Sequence, residues 1–207
     1  MGKYALAPRD GIAIFDGDSL TYGYASAGVR ITQPYPTQCI ALCTASGRTL
    51  GYTNLGVNNQ TIVQMLANAA AKIDILYNAG YTRNIVVCFG GVNDLATDTP
   101  ATVYANQVLY CSGRKTVGFL TVLCTIPSAN PASIPGFDAL RNTLNGLILA
   151  GFPGNADVIA RLDTEPHIGP DGSYADTTYY QTDQIHWKNA GATDCADAVK
   201  NAIMFLP

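Results

Sequence analysis

Charged side chains are scarce in this chain of 207 residues. Lys, Arg, Asp and Glu make up 13% of the sequence, and Glu165 is the single glutamate, whereas charged residues are about 25% of an ordinary globular protein. The formal net charge is −3 and no basic run occurs, so nucleic acid and anionic membranes are poor candidate partners. A polar surface of Thr, Asn, Ser and Tyr suits contact with neutral sugars or assembly into a larger particle.

Long hydrophobic runs are also missing. No apolar stretch approaches the ~20 residues that a membrane-spanning helix needs, and Met1 to Asp10 contains no apolar signal core. Hydrophobic residues nevertheless reach 48% of the chain, which indicates a globular core. We therefore expect a soluble protein with one domain spanning residues 1–207. The sequence does not indicate its cellular compartment.

Sequence patterns for metal and nucleotide binding are largely absent. The chain has two histidines, His167 and His186, which is too few for a hydrolase with a histidine-ligated metal. It has no Cys-x-x-Cys pair, so a zinc site is not indicated. Neither a Gly-x-Gly-x-x-Gly turn nor a P-loop occurs. We expect neither a metal nor an organic cofactor.

The six cysteines are spaced like buried thiols. Two of them sit inside apolar, strand-like runs and two lie one helical turn apart, so a protein core accounts for these four without disulfides. The position of the last two does not decide between a thiol and a disulfide. The strand-like pair is Cys88 and Cys124, the helical pair is Cys39 and Cys43, and the undecided pair is Cys111 and Cys195.

Short apolar runs alternate with helical patterns along the chain. The predicted strands are 12–15, 48–55, 84–89, 116–125 and 156–162, and the predicted helices are 34–46, 61–78, 100–111, 137–149 and 187–205. About five alternations of strand and helix predict an α/β fold with a parallel sheet and helices on both faces. We therefore expect a three-layer α/β/α architecture with about five parallel strands.

Polar residues with complementary chemistry follow these strands. In an open parallel sheet the turns after the strands meet at one edge, and here they carry Ser19, Gly56 and Asn93. A serine nucleophile needs a base, and His186 has Asp183 three residues earlier to orient it. The N–H groups of Ser19 and Gly56 and the Asn93 amide can donate to an oxyanion. The sequence thus predicts a Ser-His-Asp hydrolase.

Four sequence blocks resemble those of the SGNH/GDSL hydrolase family of serine esterases and lipases. They are Gly17-Asp18-Ser19-Leu20, Asn54-Leu55-Gly56-Val57, Gly91-Val92-Asn93-Asp94 and Asp183-Gln184-Ile185-His186, in family order over positions 17–186. The resemblance implies a flavodoxin-like fold and ester hydrolysis through an acyl-enzyme. It implies that Ser19 is the nucleophile, His186 the base and Asp183 its orienting acid, and that Ser19, Gly56 and Asn93 form the oxyanion hole.

One departure from the family pattern concerns the second block. The family usually has a small residue and a glycine after the valine, whereas Asn58 and Asn59 stand there in this chain. This departure leaves the shape of the loop open, but on the sequence alone we retain the role of Gly56.

Other interpretations of the first block remain. Ser19 alone is compatible with a simple helix cap. The run Asp16-Gly17-Asp18 also resembles the start of a magnesium-dependent phosphatase of the haloacid-dehalogenase type, with Lys72 and the pair Asp94 and Asp98 as further site residues. That alternative leaves the three later blocks without a role. A third is a non-catalytic glycan-binding or virion module on the same fold.

The substrate is only partly indicated. Because the chain is short and has no lid-like apolar insertion, we expect short acyl esters and include O-acetyl carbohydrate among the candidates. Aromatic residues flank the blocks, and they can stack on sugar rings or serve as ordinary packing. We expect the substrate to be lined by Tyr22, Val92, Ile185 and Trp187; the other flanking aromatics are Tyr24, Tyr179 and Tyr180. His167 has no motif around it and is expected to be a loop histidine.

Overall fold

Five parallel strands form the centre of the molecule in the computed structural model, which describes residues 10–25 and 29–207. The strands run in the spatial order β2-β1-β3-β4-β5, and every neighbouring pair is parallel. They are β1 (Gly11–Gly17), β2 (Leu50–Asn54), β3 (Arg83–Phe89), β4 (Leu120–Cys124) and β5 (Val158–Ala160). This strand order is that of flavodoxin-like folds, and the predicted fold class is confirmed.

In the described residues, six α-helices connect or follow the strands. They are α1 (Ser19–Tyr22), α2 (Tyr35–Ala45), α3 (Ile62–Lys72), α4 (Pro100–Val117), α5 (Phe137–Ala150) and α6 (Asn189–Phe205). Helix α2 packs against α6, while α3, α4 and α5 pack in series. Within the described ranges, none of these helices is long and apolar enough to cross a membrane.

The alternation of side chains along β1 shows how the sheet is covered on both faces. Phe15 contacts Tyr35 of α2, with ring centroids 5.7 Å apart. The next residue, Asp16, points to the opposite face, where it accepts a hydrogen bond from Tyr110 of α4. Successive side chains of a strand point to opposite faces, so β1 is buried between two helical layers. At its carboxyl end β1 leads directly into the short helix α1.

The fourth predicted strand, 116–125, begins too early. Helix α4 continues to Val117 and ends at Gly118, whose φ of 111° provides the left-handed cap. Arg114 forms an ion pair with Asp74 at 2.8 Å, which anchors the last turn of the helix. The β-branched residues at 116 and 117 favour a strand locally, but this packing and the glycine cap override that preference.

The second predicted helix, 61–78, is also too long. Helix α3 ends at Lys72, and a separate 3₁₀ turn covers Asp74–Leu76. All six cysteines are buried free thiols. This confirms the prediction for the four in strand-like and helical runs, and it decides the question that the sequence leaves open at Cys111 and Cys195.

Candidate active site

The turn that carries Ser19 is fixed by three successive residues at the end of β1. A Cβ atom on Gly17 would lie 2.3 Å from the carbonyl oxygen of Phe89, so only glycine fits there. Asp18 is the N-cap of α1, and its Oδ1 accepts the Leu20 N–H at 2.8 Å. Ser19 is therefore the first residue of the helix and not its cap. This turn holds the hydroxyl at the carboxyl edge of the sheet.

Ser19, His186 and Asp183 form a continuous hydrogen-bonded chain. The Oγ of Ser19 lies 2.8 Å from Nε2 of His186, and Nδ1 of His186 lies 2.7 Å from Oδ2 of Asp183. One ring nitrogen thus faces the hydroxyl while the other faces a carboxylate. This is the geometry that a histidine base needs to accept a proton from a serine.

Asp183 is held as a carboxylate by its neighbours. Partial burial alone would raise its pKa, but the hydrogen bonds from the His186 ring and from the backbone N–H groups of His186 and Ile185 outweigh that, so the pKa of Asp183 is lowered. Its Oδ1 accepts both of those N–H groups at 3.0 Å. The turn between Asp183 and His186 includes Gln184 with a φ of 60°. A compact turn therefore positions the acid and the base together.

Gly56 has a different position from the one expected of an oxyanion donor. Its N–H donates to Oδ1 of Asn54 at 3.0 Å, and the glycine itself is buried. A Cβ atom there would lie 2.3 Å from the backbone nitrogen of Tyr22. Gly56 is thus required for the close approach of β2 to helix α1, and its N–H is already used. The predicted role of Gly56 in the oxyanion hole is wrong for this geometry.

Asn54 is a site residue that the sequence analysis left without a role. Its Nδ2 donates to the carbonyl oxygen of Thr21 at 2.7 Å, while its Oδ1 accepts from Gly56. One side chain therefore joins the end of β2 to helix α1, which begins at Ser19. Its place at the start of the second block is the signal that could have identified it.

Asn59, unlike Gly56, borders the space beside Ser19. It lines the same cavities as Ser19 and His186, and its φ is 60°, a left-handed conformation that asparagine tolerates better than most residues. Within residues 10–25 and 29–207, no acceptor is hydrogen-bonded to its N–H. Asn59 thus adopts a backbone conformation that a glycine reaches freely, which answers the open question about this loop.

Asn93 and Asp94 fix the loop that carries Asn59. The Asn93 Nδ2 donates to the carbonyl oxygen of Gln60 at 3.0 Å, and Asn93 also lines the cavity beside Ser19. Asp94 is fully buried and accepts the Ile62 N–H at the start of α3. Burial raises the pKa of Asp94, and the Ile62 N–H offsets part of that rise. The third block therefore ties the loop after β2 to the end of β3.

Two adjoining cavities open onto Ser19. The smaller is called the acyl cavity after the role proposed for it below; it has a volume of about 160 Å³ and is lined by Ser19, Asn59, Val92, Asn93, Ala96, Pro131, Ser133, Ile134, Ile185 and His186. The larger is called the alcohol cavity after its proposed role; it has a volume of about 260 Å³ and is lined by Ser19, Tyr24, Asn58, Asn59, Asp183 and His186. The loop after β4 thus contributes lining that the sequence did not reveal.

Two of the four predicted lining residues are not part of these cavities. Val92 and Ile185 line the acyl cavity, but Trp187 is 3% exposed and stacks on Phe89 with ring centroids 5.9 Å apart. The ring of Tyr22 is covered by the guanidinium of Arg30 at 3.8 Å. Trp187 is core packing because its large ring fills the space beside the sheet.

The other flanking aromatics divide in the same way. The ring centroid of Tyr24 lies 4.5 Å from that of His186, so this tyrosine borders the site. Tyr180 is fully buried and donates to the carbonyl oxygen of Ser128. Tyr179 stacks on His167, whose Nδ1 lies 2.9 Å from Asp194. His167 is a partly exposed loop histidine, as predicted.

The carboxylates of the phosphatase alternative are enclosed by the fold. Asp16 is 1% exposed and bonded to Tyr110 and Lys72, and burial raises its pKa despite those partners. Asp18 is fully buried, which raises its pKa to about 7, with the nearby Asp94 adding to the rise. In the described part of the chain, no three His, Cys, Asp or Glu side chains cluster as metal ligands would. Neither aspartate faces the cavities, so this geometry contradicts Asp16 as a nucleophile.

Comparison of the whole structure with solved structures gives consistent neighbours. The psychrotrophic esterase EstA from Pseudoalteromonas sp., in a structure inhibited by monoethylphosphonate, superposes with a TM-score of 0.68 at 15% identity over 94% of this chain and 97% of that one. A member of the lipolytic G-D-S-L family from Veillonella parvula gives a TM-score of 0.68 at 17% identity, covering 95% of this chain and 100% of that one. The chain has the fold of the GDSL hydrolases.

A third neighbour with the GDSL fold is a variant of Axe2, an acetyl-xylooligosaccharide esterase from a Geobacillus species. It has a TM-score of 0.68 at 17% identity, with 94% of each chain covered. No protein-family model and no curated protein matches the sequence. The predicted resemblance is therefore confirmed by the GDSL fold itself, at an identity where sequence comparison finds no match.

Proposed function

We propose that this protein is a serine esterase that cleaves short-chain acyl esters, including O-acetyl esters, through an acyl-enzyme on Ser19. The observation that carries the proposal is the hydrogen-bonded chain from Ser19 through His186 to Asp183. The solved neighbours described as esterases support it, because their fold is the same.

The reaction begins with attack by the Ser19 hydroxyl on the ester carbonyl. His186 accepts the hydroxyl proton on Nε2, and Asp183 stabilises the resulting imidazolium through Nδ1. The carbonyl becomes an oxyanion as the Oγ–C bond forms. His186 then gives the proton to the leaving alcohol when the C–O bond breaks. Water attacks the acyl-enzyme by the same route and regenerates the Ser19 hydroxyl.

The oxyanion is stabilised by three donors in this proposal. They are the N–H groups of Ser19 and Asn59 and the second hydrogen of the Asn93 amide, whose first hydrogen is bonded to Gln60. Asn59 replaces Gly56 because the Gly56 N–H is bonded to Asn54. Donors aimed at the developing charge are worth about 10²–10³ in kcat each.

The sizes of the two cavities support a short acyl group. The acyl cavity holds about 160 Å³ and carries the apolar side chains of Val92, Ile134 and Ile185. That volume is below the ~300–1,000 Å³ usual for sites of drug-sized ligands, so a long acyl chain would have to extend outside it. The alcohol cavity is bordered by polar side chains of Asn58, Asn59 and Asp183.

Turnover of p-nitrophenyl acetate tests this function. The native protein is expected to release p-nitrophenolate, and Ser19→Ala and His186→Ala are expected to lose this activity while keeping the native thermal unfolding curve. A profile from acetate to decanoate is expected to peak at the short esters. A native protein as inert as Ser19→Ala would refute the esterase and favour a non-catalytic module on the same fold.

A further inference from the structure

A third cavity adjoins the alcohol cavity and has a volume of about 490 Å³. We call it the amide hollow; it is lined by Val57, Asn58, Asn59, Gln60, Gln64, Asn68 and Lys72. It shares Asn58 and Asn59 with the alcohol cavity, so the two adjoin at these residues. Its volume lies in the ~300–1,000 Å³ range of ligand sites.

Two short segments build the hollow. Gln64, Asn68 and Lys72 are spaced four residues apart on α3, so they project from one helix face. The loop after β2 provides Asn58 and Asn59 beside them, and Asn93 and Asp94 hold that loop in place. The site therefore rests on a helix and an anchored turn.

The carboxamides of the hollow have unused hydrogen-bonding capacity. Within residues 10–25 and 29–207, the side chains of Asn58, Asn59 and Asn68 bond to no other protein group, and all three are exposed. Gln64 uses Oε1 to accept the Thr61 N–H at 3.1 Å, which leaves its Nε2 available. A carboxamide both donates and accepts, as does each hydroxyl of a sugar.

The charge of the hollow favours a neutral ligand. Lys72 is the one charged residue among its lining residues. Its Nζ donates to the carbonyl oxygen of Leu55 at 2.6 Å and lies 3.4 Å from Oδ1 of Asp16. The positive charge is therefore directed into the protein, where it is balanced by a buried carboxylate. What faces the hollow is mainly uncharged amide.

We propose that the amide hollow binds the neutral sugar unit next to the acylated one, so that the substrate is an O-acylated oligosaccharide. This inference rests on the proposed esterase function, which places the ester at Ser19 and its alcohol part in the alcohol cavity. The acylated sugar occupies the alcohol cavity, and the next unit of the chain extends past Asn58 and Asn59 into the hollow. Sugar hydroxyls there bond to Asn58, Gln64 and Asn68.

Kinetics with Asn68→Ala test the subsite. Acetate release is measured from O-acetylated xylo-, manno- and gluco-oligosaccharides of one to four units, with p-nitrophenyl acetate as the substrate that does not reach the hollow. The native protein is expected to show a higher kcat/KM on one oligosaccharide series than on its monosaccharide. Asn68→Ala is expected to lose about 5- to 10-fold on the oligosaccharide, as the loss of one or two hydrogen bonds predicts, with p-nitrophenyl acetate unchanged.

The matched control is Asn201→Ala, which removes an exposed helical amide outside the three cavities. It should leave every rate at the native value. Asn68→Ala rates equal to native on all three oligosaccharide series would overturn the subsite. So would an equal loss on p-nitrophenyl acetate, because that points to a general disturbance.

Binding provides a readout that does not depend on catalysis. Unacetylated xylo-, manno- and gluco-oligosaccharides are titrated into Ser19→Ala and followed by NMR. We expect one series to shift the side-chain amide signals of Asn58, Gln64 and Asn68, with the shifts weakened in the Ser19→Ala, Asn68→Ala double variant. A chain that hydrolyses p-nitrophenyl acetate but shows no shifts with any series contradicts the subsite alone. A chain that shows them but hydrolyses no ester contradicts the esterase and retains a sugar site.

Discussion

At the scale of single residues, Asn59 adopts the backbone conformation that a glycine would readily adopt at this position. The second block lacks the usual glycine at this position, yet Asn59 has a φ of 60°. Asparagine tolerates this region because its short polar side chain costs less there than a branched one. The N–H of Asn59 can then be directed at the site although its side chain differs from that of glycine.

The left-handed conformation at residue 59 can be tested by substitution. Asn59→Gly is expected to keep kcat for p-nitrophenyl acetate within about 3-fold of native, because glycine adopts positive φ freely. Asn59→Val is expected to lose about 10-fold or more, because a left-handed β-branched residue costs roughly 1–2 kcal/mol and the loop shifts. Steady-state kinetics of both variants measure this. Equal kcat in the two would show that the loop conformation has no part in catalysis.

Asn93 provides the side-chain donor in the proposed oxyanion hole. Asn93→Ala is expected to lower kcat by about 10²–10³, the usual cost of one such donor. The variant also loses the hydrogen bond to Gln60, which is expected to lower the unfolding free energy by about 1 kcal/mol. Circular dichroism and thermal unfolding separate the two effects. A native kcat in a folded Asn93→Ala would contradict the assignment.

At the scale of elements, helix α1 depends on a buried aspartate. Asp18 caps the helix through the Leu20 N–H, and its other oxygen, Oδ2, is buried without a hydrogen-bond partner in the described structure. Burial raises its pKa from 3.8 to about 7 in the folded protein. Its contribution to stability is therefore fully present below about pH 3.8 and is lost as the pH rises through 7.

Asp18→Asn removes this titration while keeping an oxygen that accepts the Leu20 N–H. The unfolding free energy of the variant relative to native is therefore expected to rise between pH 4 and pH 8, since the amide never has to ionise in the interior. Urea unfolding at several pH values measures the difference, in which the contributions of carboxyl groups that do not interact with Asp18 cancel. A difference that is flat with pH would show that Asp18 does not titrate over this range.

Arg141 joins two loops that flank the site. It is 1% exposed and donates to the carbonyl oxygens of Ile126 and Gly169 and to Asp138. One of these loops follows β4 and lines the acyl cavity, and the other leads to the segment that carries Asp183 and His186. Arg141 thus links two elements that are far apart in the sequence.

Removal of Arg141 should lower the unfolding free energy much more than removal of an exposed ion pair. Arg141→Met is expected to lower the unfolding free energy by about 3–5 kcal/mol, because it leaves the partly buried carboxylate of Asp138 without its cationic partner and two buried carbonyl oxygens without their donor. The control is Arg161→Met, whose ion pair with Asp163 is 44% exposed on the arginine side and should cost less than ~1 kcal/mol. Chemical unfolding of both variants checks the contrast. Similar losses in the two would mean that burial does not set the cost.

At the scale of the whole molecule, the order of the elements was predictable and their junctions were only partly so. Alternating apolar runs and helical patterns predict the parallel sheet because each strand is buried on both faces. The end of α4 was missed because Arg114 pairs with Asp74 and Gly118 caps the helix. The ion pair depends on tertiary packing that the local sequence does not contain, whereas Gly118 is a local signal that the β-branched residues before it obscure.

The candidate active site was likewise predictable only in part. The spacing of Asp183 and His186 was informative because two residues three positions apart in one tight turn can bring their side chains into hydrogen-bond contact. The error at Gly56 arose because a glycine was assumed to act through its N–H, whereas it acts by lacking a side chain next to Tyr22. The lining from the loop after β4 could not be predicted, because nothing in its sequence indicates how it folds back over the edge of the sheet.

The most direct test of the account is covalent labelling of Ser19. An ethylphosphonate ester with a p-nitrophenyl leaving group is chosen because monoethylphosphonate inhibits the structural neighbour EstA. The account predicts release of one equivalent of p-nitrophenolate per chain and a phosphonyl adduct that peptide mass spectrometry locates on Ser19, with no adduct on Ser19→Ala. An adduct on another residue, or full hydrolysis of p-nitrophenyl acetate by Ser19→Ala, would contradict it.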